Sequence, residues 1–154
     1  MDERVDGTRL AAVAPESRQG DEPAGGPPGG AKGRVLVVED EAGLAEVLAL
    51  HLQAAGYDPV IAHDGLEALY ELDRQPPAVV LLDLHLPEVS GFRLIQLLKQ
   101  RPQAPQVPVI VLTALSFREA EEAVRAGADD FLTKPFEPAE VVECVDRVLA
   151  RLQV

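Results

Sequence analysis

The sequence predicts an α/β fold: an open, five-stranded parallel sheet with five helices on both of its faces. Three observations carry that prediction. Five short apolar runs alternate along the chain with longer segments that repeat apolar residues at helical spacing. The runs are continuous rather than strictly alternating apolar with polar, as expected of strands covered on both sides. Parallel neighbours also need a crossover between them, which a helix supplies.

The first run is Arg34–Val38, followed by a helical pattern over residues 42–55 with Leu44, Val47, Leu48 and His51 or Leu52 on one side. Gly56 ends it, because glycine takes the left-handed conformation of a helix C-terminus without strain. The second run covers residues 59–62, and Asp64 with Glu67 has capping-box spacing before the next helical pattern. The third run, residues 78–83, is the most apolar. A helix over residues 90–99 turns Leu94, Ile95 and Leu98 inward and is closed off by Pro102. Residues 107–113 form the fourth run, and Ser116 with Glu119 repeats the capping-box spacing. After the fifth run, Asp130–Thr133, the last helix begins at Pro138, a favourable first-turn proline. It repeats Val141, Val145, Val148, Leu149 and Leu152, with Cys144 beside the stripe as a small packing residue.

Composition bounds the rest. The 154 residues carry 26 acids and 14 Lys or Arg, a formal charge of −12. That balance disfavours direct nucleic-acid binding, which needs a basic stripe to displace counterions. A single cysteine excludes a disulfide framework and a cysteine-based zinc site. Residues 1–33 hold 7 of the 12 glycines and 4 of the 13 prolines with few aliphatics, and are expected to be a disordered Gly/Pro-rich tail. Residues 34–154 then form one domain, with no output domain after it. Nothing has the length of a membrane span or the pattern of a secretory signal, so a cytoplasmic location and no membrane partner are expected.

In open parallel sheets, ligands lie beyond the carboxyl ends of the strands. Those ends present Glu39 and Asp40, then Asp83, Thr113 and Lys134. If the first and third strands are neighbours, three carboxylates converge, and two like charges 4 Å apart repel by about 4 kcal/mol at an effective dielectric constant near 20. A hard divalent cation, Mg²⁺, would offset that repulsion with oxygen ligands alone. The three carboxylates, the cation and Lys134 balance in charge, which leaves one Asp able to become an acyl phosphate. Asp83 is the candidate nucleophile because it terminates the most central run.

These residues fall in motifs. Val-Val-Glu-Asp at 37–40, Leu-Leu-Asp-Leu-His-Leu-Pro at 81–87, Leu-Thr-Ala at 112–114 and Thr-Lys-Pro-Phe at 133–136 resemble the receiver domain of two-component response regulators, as do residues 64–69 and 127–131. The resemblance covers residues 33–152. It implies the flavodoxin-like strand order 2-1-3-4-5 and a phosphorylation site at Asp83. It also implies Mg²⁺ held by Asp40, Asp83, Glu39 through water and the backbone carbonyl of His85, with Thr113 and Lys134 contacting the phosphoryl oxygens. Thr113 and Phe131 would be the switch pair, Pro135 would follow a cis bond, and Ala114 would leave the acceptor open. Glu39 stands where aspartate is commoner, and Phe131 where many relatives have tyrosine.

The function expected on that resemblance is a single-domain bacterial response regulator, the phospho-acceptor of a phosphorelay. A sensor histidine kinase or phosphotransfer protein is the expected donor. A downstream effector protein would bind the face made by the fourth helix, fifth strand and fifth helix. It would be no enzyme beyond Mg²⁺-dependent self-phosphorylation and autodephosphorylation. Two alternatives stand beside it. The chain could be the receiver fragment of a larger regulator, or an aspartyl-phosphate phosphohydrolase, which commonly places an acidic Asp where this chain has His85. His51 and His63 are expected on a helix face and in a loop.

Overall fold

The computed structural model describes residues 32–87, 89–101, 107–114 and 116–152. Strands and helices alternate along them: β1 (Arg34–Val38), α1 (Ala42–Ala54), β2 (Asp58–Ala62), α2 (Gly65–Arg74), β3 (Val79–Asp83), α3 (Gly91–Lys99), β4 (Val109–Thr113), α4 (Phe117–Ala126), β5 (Asp130–Thr133) and α5 (Pro138–Leu152). All neighbouring strands are parallel, in the order β2-β1-β3-β4-β5, as expected. The fourth strand starts later than the apolar run suggests. Pro108 has no amide to donate to a ladder, although its carbonyl still accepts from Val80 N at 2.9 Å.

Successive strand residues point to opposite faces, and the two faces form two cores. Leu36, Val38, Val80, Leu82, Val109 and Val111 pack with Ala68 and Leu72 of α2, Leu94, Ile95 and Leu98 of α3, and Ala123 of α4. On the other face, Val35, Val37, Val79, Leu81, Ile110 and Leu112 meet Leu48 and Leu52 of α1 and Val141, Cys144, Val145 and Val148 of α5. β3 and β4 are buried throughout, which explains why their sequences lack polar alternation.

Helix faces differ from expectation in two places, Val47 and Leu152. On α1 the buried stripe is Ala45, Leu48 and Leu52, so Leu52 rather than His51 faces the sheet, and Val47 is exposed. Val47 lies about 100° around the helix from Leu48, which carries it off this stripe. The exposed His51 ring nitrogen instead lies 3.0 Å from Val47 O. Leu152 is also exposed, about one turn beyond Val148, the last buried residue of α5. Pro102, expected to stop α3, lies outside the described residues.

Helix ends follow local chemistry. Ser116 and Glu119 form the full capping box of α4. Asp64 accepts from Glu67 N at 2.8 Å, but Glu67 reaches His63 N at 2.8 Å instead of completing a box. Gly56 and Gly127 follow α1 and α4 with φ of 102° and 124°, the left-handed region that side chains resist. Ser116→Ala should lower stability by about 1 kcal/mol, measured by urea denaturation. An unchanged midpoint would show that the box contributes nothing net.

Of the predicted tail, residues 1–31 lie outside the described residues. Lys32 and Gly33 join the domain: Lys32 N donates to Gly56 O at 3.0 Å, and Asp58 N donates to Gly33 O at 2.9 Å. The Lys32 ammonium lies 5.4 Å from the centre of the Tyr57 ring, a cation–π distance. Among the described residues, no helix is long and apolar enough to cross a membrane.

Candidate functional site

Parallel register assembles the site. Val38 lies beside Leu82, so β1 and β3 end together and deliver Glu39 and Asp40 next to Asp83. Asp83 is in register with Leu112, and Thr113 with Thr133, which brings Thr113 and Lys134 to the same sheet end. Glu39, Asp40 and Asp83 each offer a carboxylate oxygen, and these oxygens all lie within 4.8 Å of one another. Glu39 and Asp83 are buried, and Asp40 is exposed.

Lys134 bridges the two buried acids. Its Nζ lies 3.4 Å from Asp83 Oδ2 and 3.5 Å from Glu39 Oε1. The lysine backbone is fixed as well, since Lys134 N donates to Thr113 O at 2.7 Å. The other Asp83 oxygen, Oδ1, accepts from His85 N at 2.9 Å. Thr113 is fully buried at the end of β4. Ala114 and the His85 residue are exposed, and the Lys134–Pro135 bond is cis.

The electrostatics show a pocket with excess negative charge. Burial, reinforced by repulsion from Asp83, pushes the Glu39 carboxyl up to about 7, against the opposing pull of Lys134 and the Glu41 amide. Burial works against the Lys134 charge, but Asp83 and Glu39 outweigh it and hold its pKa above the ordinary lysine value. Oxygen donors and excess negative charge fit a hard divalent cation such as Mg²⁺ and offer nothing to a thiophilic metal.

The Glu39 proton makes a prediction. A carboxyl whose pKa is raised on folding contributes stability that is complete below its unfolded value, near 4.5, and is lost as pH rises through about 7. Gln at this position is neutral throughout. In metal-free buffer, Glu39→Gln should therefore gain stability on the wild type as pH rises from about 5 to about 8, by up to about 3 kcal/mol. Denaturant titrations at both pH values check this, and parallel pH profiles would assign the raised proton affinity elsewhere.

The family profile of the response regulator receiver domain matches residues 35–146, a span that contains every residue of the pocket. The chain belongs to the response regulator receiver family. It is 42% identical over 122 residues to the phosphate regulon transcriptional regulatory protein PhoB of Klebsiella pneumoniae, covering 77% of this chain and 52% of that protein. It is 36% identical over 123 residues to the alkaline phosphatase synthesis transcriptional regulatory protein PhoP of Bacillus subtilis, covering 79% and 50%. The chain thus spans about half the length of the curated relatives it matches. Among solved structures, a putative response regulator from Chloroflexus aurantiacus superposes with a TM-score of 0.73 at 35% identity, covering 77% of this chain and 98% of that one. The Francisella response regulator 1452 receiver domain gives 0.72 at 32% identity, covering 78% and 98%.

Within this receiver domain, Phe131 is half-buried, in register with Val111, and packs against the α2–α3–α4 core. Two carboxylates make bonds that sequence patterns did not reveal. Asp129 Oδ2 accepts from Val109 N at 2.7 Å and from Lys99 Nζ at 3.0 Å, bracing the start of β4. Glu39 Oε2 accepts from Glu41 N at 3.2 Å. Asp129 lies in the Gly-Ala-Asp-Asp-Phe motif at 127–131, a signal that could have pointed to it; no sequence pattern points to the Glu39 bond.

Proposed function

We propose that the domain is the phospho-acceptor of a two-component relay, with Asp83 taking a phosphoryl group from the phosphohistidine of a sensor kinase or phosphotransfer protein. The observation that carries this reading is the Asp83 carboxylate, held at the end of a buried central strand by His85 N and faced by the Lys134 ammonium. An Asp83 oxygen attacks phosphorus, the P–N bond breaks, and the departing imidazole keeps the electron pair and takes a proton from solvent. Lys134 balances charge on the phosphoryl oxygens, and the Thr113 hydroxyl donates to one of them. Glu39, Asp40, Asp83 and the His85 carbonyl would hold Mg²⁺, which supplies further neutralisation of those oxygens.

The signal is read as a population shift. Bonds from the phosphoryl group to Thr113 and Lys134 favour one arrangement of α4 and of Phe131. The face of α4, β5 and α5 presents exposed Phe117 and Val124 together with Arg147 and Arg151, and is the proposed docking surface for an effector. No direct nucleic-acid contact, a cytoplasmic location and the absence of enzymatic turnover beyond self-phosphorylation and autodephosphorylation belong to the same reading. Incubation with a small acyl phosphate and Mg²⁺, followed by intact-mass measurement, should show one added phosphoryl group. An unchanged mass would sink the acceptor assignment, and rapid multiple turnover of phosphate esters would replace it with a phosphohydrolase.

A further inference from the structure

The Glu39 carboxylate is engaged at both oxygens. Oε1 lies 3.5 Å from Lys134 Nζ inside the pocket, while Oε2 accepts from Glu41 N at 3.2 Å. Glu41 is the N-cap of α1, and its own side chain makes no capping bond. Three residues after the cap stands Leu44, so α1 has no carboxylate of its own to return to the cap amide. Glu39 does from two residues upstream what Glu119 does from within α4. Its backbone is independently pinned, because Glu39 N donates to Ala62 O at 3.0 Å, and the residue is only 1% exposed. A carboxylate confined in this way cannot change its partner at one oxygen without moving the other.

We propose that Glu39 is a positioning residue that couples occupancy of the acidic pocket to the first turn of α1. The proposal rests on the phospho-acceptor reading of that pocket. When Lys134 turns to phosphoryl oxygens, or Glu39 is drawn toward a cation shared with Asp40 and Asp83, the Oε2 bond to the Glu41 amide lengthens. The start of α1 then reports what the pocket holds. The longer side chain matters: aspartate, one methylene shorter, does not span both Lys134 and the Glu41 amide from the same backbone position.

Amide hydrogen exchange of the full chain, read by NMR with and without Mg²⁺ and beryllofluoride, tests this, with fluorine NMR reporting occupancy independently. In the wild type, exchange at Glu41 should quicken roughly two- to tenfold on occupancy, the effect of losing one hydrogen bond. Buried amides of α3, such as Leu94 and Ile95, should keep their rates or slow with the added stability, so that quickening is confined to the start of α1. In Glu39→Asp, whose carboxylate can reach the amide two residues on as Asp83 reaches His85 N but is one methylene short of Lys134, Glu41 should stay protected in both states, a loss of coupling that a merely structural role would not produce. A bound fluorine signal with no change at Glu41 in the wild type would overturn the coupling and leave the pocket reading intact. No bound fluorine signal in the wild type would overturn the pocket reading and the coupling with it.

Discussion

Asp83→Asn should keep its unmodified mass after incubation with acyl phosphate and Mg²⁺, while the wild type gains a phosphoryl group. The substitution removes the proposed nucleophile and one negative charge from the pocket. Asparagine is nearly the same size, and its carbonyl oxygen can still accept the bond that His85 N makes to Asp83 Oδ1. The carboxamide has no anionic oxygen to attack phosphorus, so incorporation should fall below detection. One carboxylate fewer should also weaken Mg²⁺ binding, so the rise in melting temperature on adding Mg²⁺ should shrink relative to the wild type. Equal phosphorylation of Asp83→Asn would move the acceptor to Asp40 or Glu39, the other carboxylates of the cluster.

Gly91→Ala should destabilise the fold by about 1–3 kcal/mol or more, the usual range for overpacking. A Cβ at Gly91 would stand 2.5 Å from Leu84 Cα, 2.7 Å from Leu84 Cδ2 and 2.9 Å from the Leu84 carbonyl oxygen. Two of those atoms are backbone, so no rotamer change relieves the contact. Gly91 N also donates to that carbonyl at 3.1 Å, which holds the two segments together. Leu84 follows Asp83 directly, so moving it disturbs the proposed acceptor, and Mg²⁺ stabilisation should fall with stability. Gly43→Ala is the contrasting case. A Cβ there meets nothing within 4 Å, and alanine in the first turn of α1 should be neutral or stabilising by up to about 1 kcal/mol. Similar unfolding midpoints for the two variants would refute the steric argument.

The parallel sheet was legible because β3 and β4 are apolar up to their last residue and buried throughout, which only a strand covered on both faces tolerates. The pocket was legible because strand-end positions accumulate polar residues that no core would accept. The three acids, Thr113 and Lys134 stand out against the valines and leucines preceding them. What escaped was detail that periodicity does not encode. Val47 and Ala45 flank Leu48 on opposite sides of α1, and apolar spacing alone did not say which side turns to the sheet; Leu48 with Leu52 buries the Ala45 side. The Asp64–Glu67 spacing was right for a box, but a backbone amide one residue upstream took the second bond. The Glu39 bridge to the start of α1 depends on side-chain reach within a buried pocket, which spacing along the chain does not record.

The Asp129 contacts give β4 unequal ends. At its start, Val109 exchanges bonds in both directions with Asp129: the side chain accepts from Val109 N at 2.7 Å, and Asp129 N donates to Val109 O at 2.7 Å. Lys99 ties the same carboxylate to the end of α3. The strand is therefore moored where it enters the sheet, and Thr113 sits at its far tip. A pull on Thr113 cannot be absorbed by sliding β4 along its neighbours. Under the proposed function, a phosphoryl bond to the Thr113 hydroxyl would therefore act on the far tip of a strand anchored at its other end.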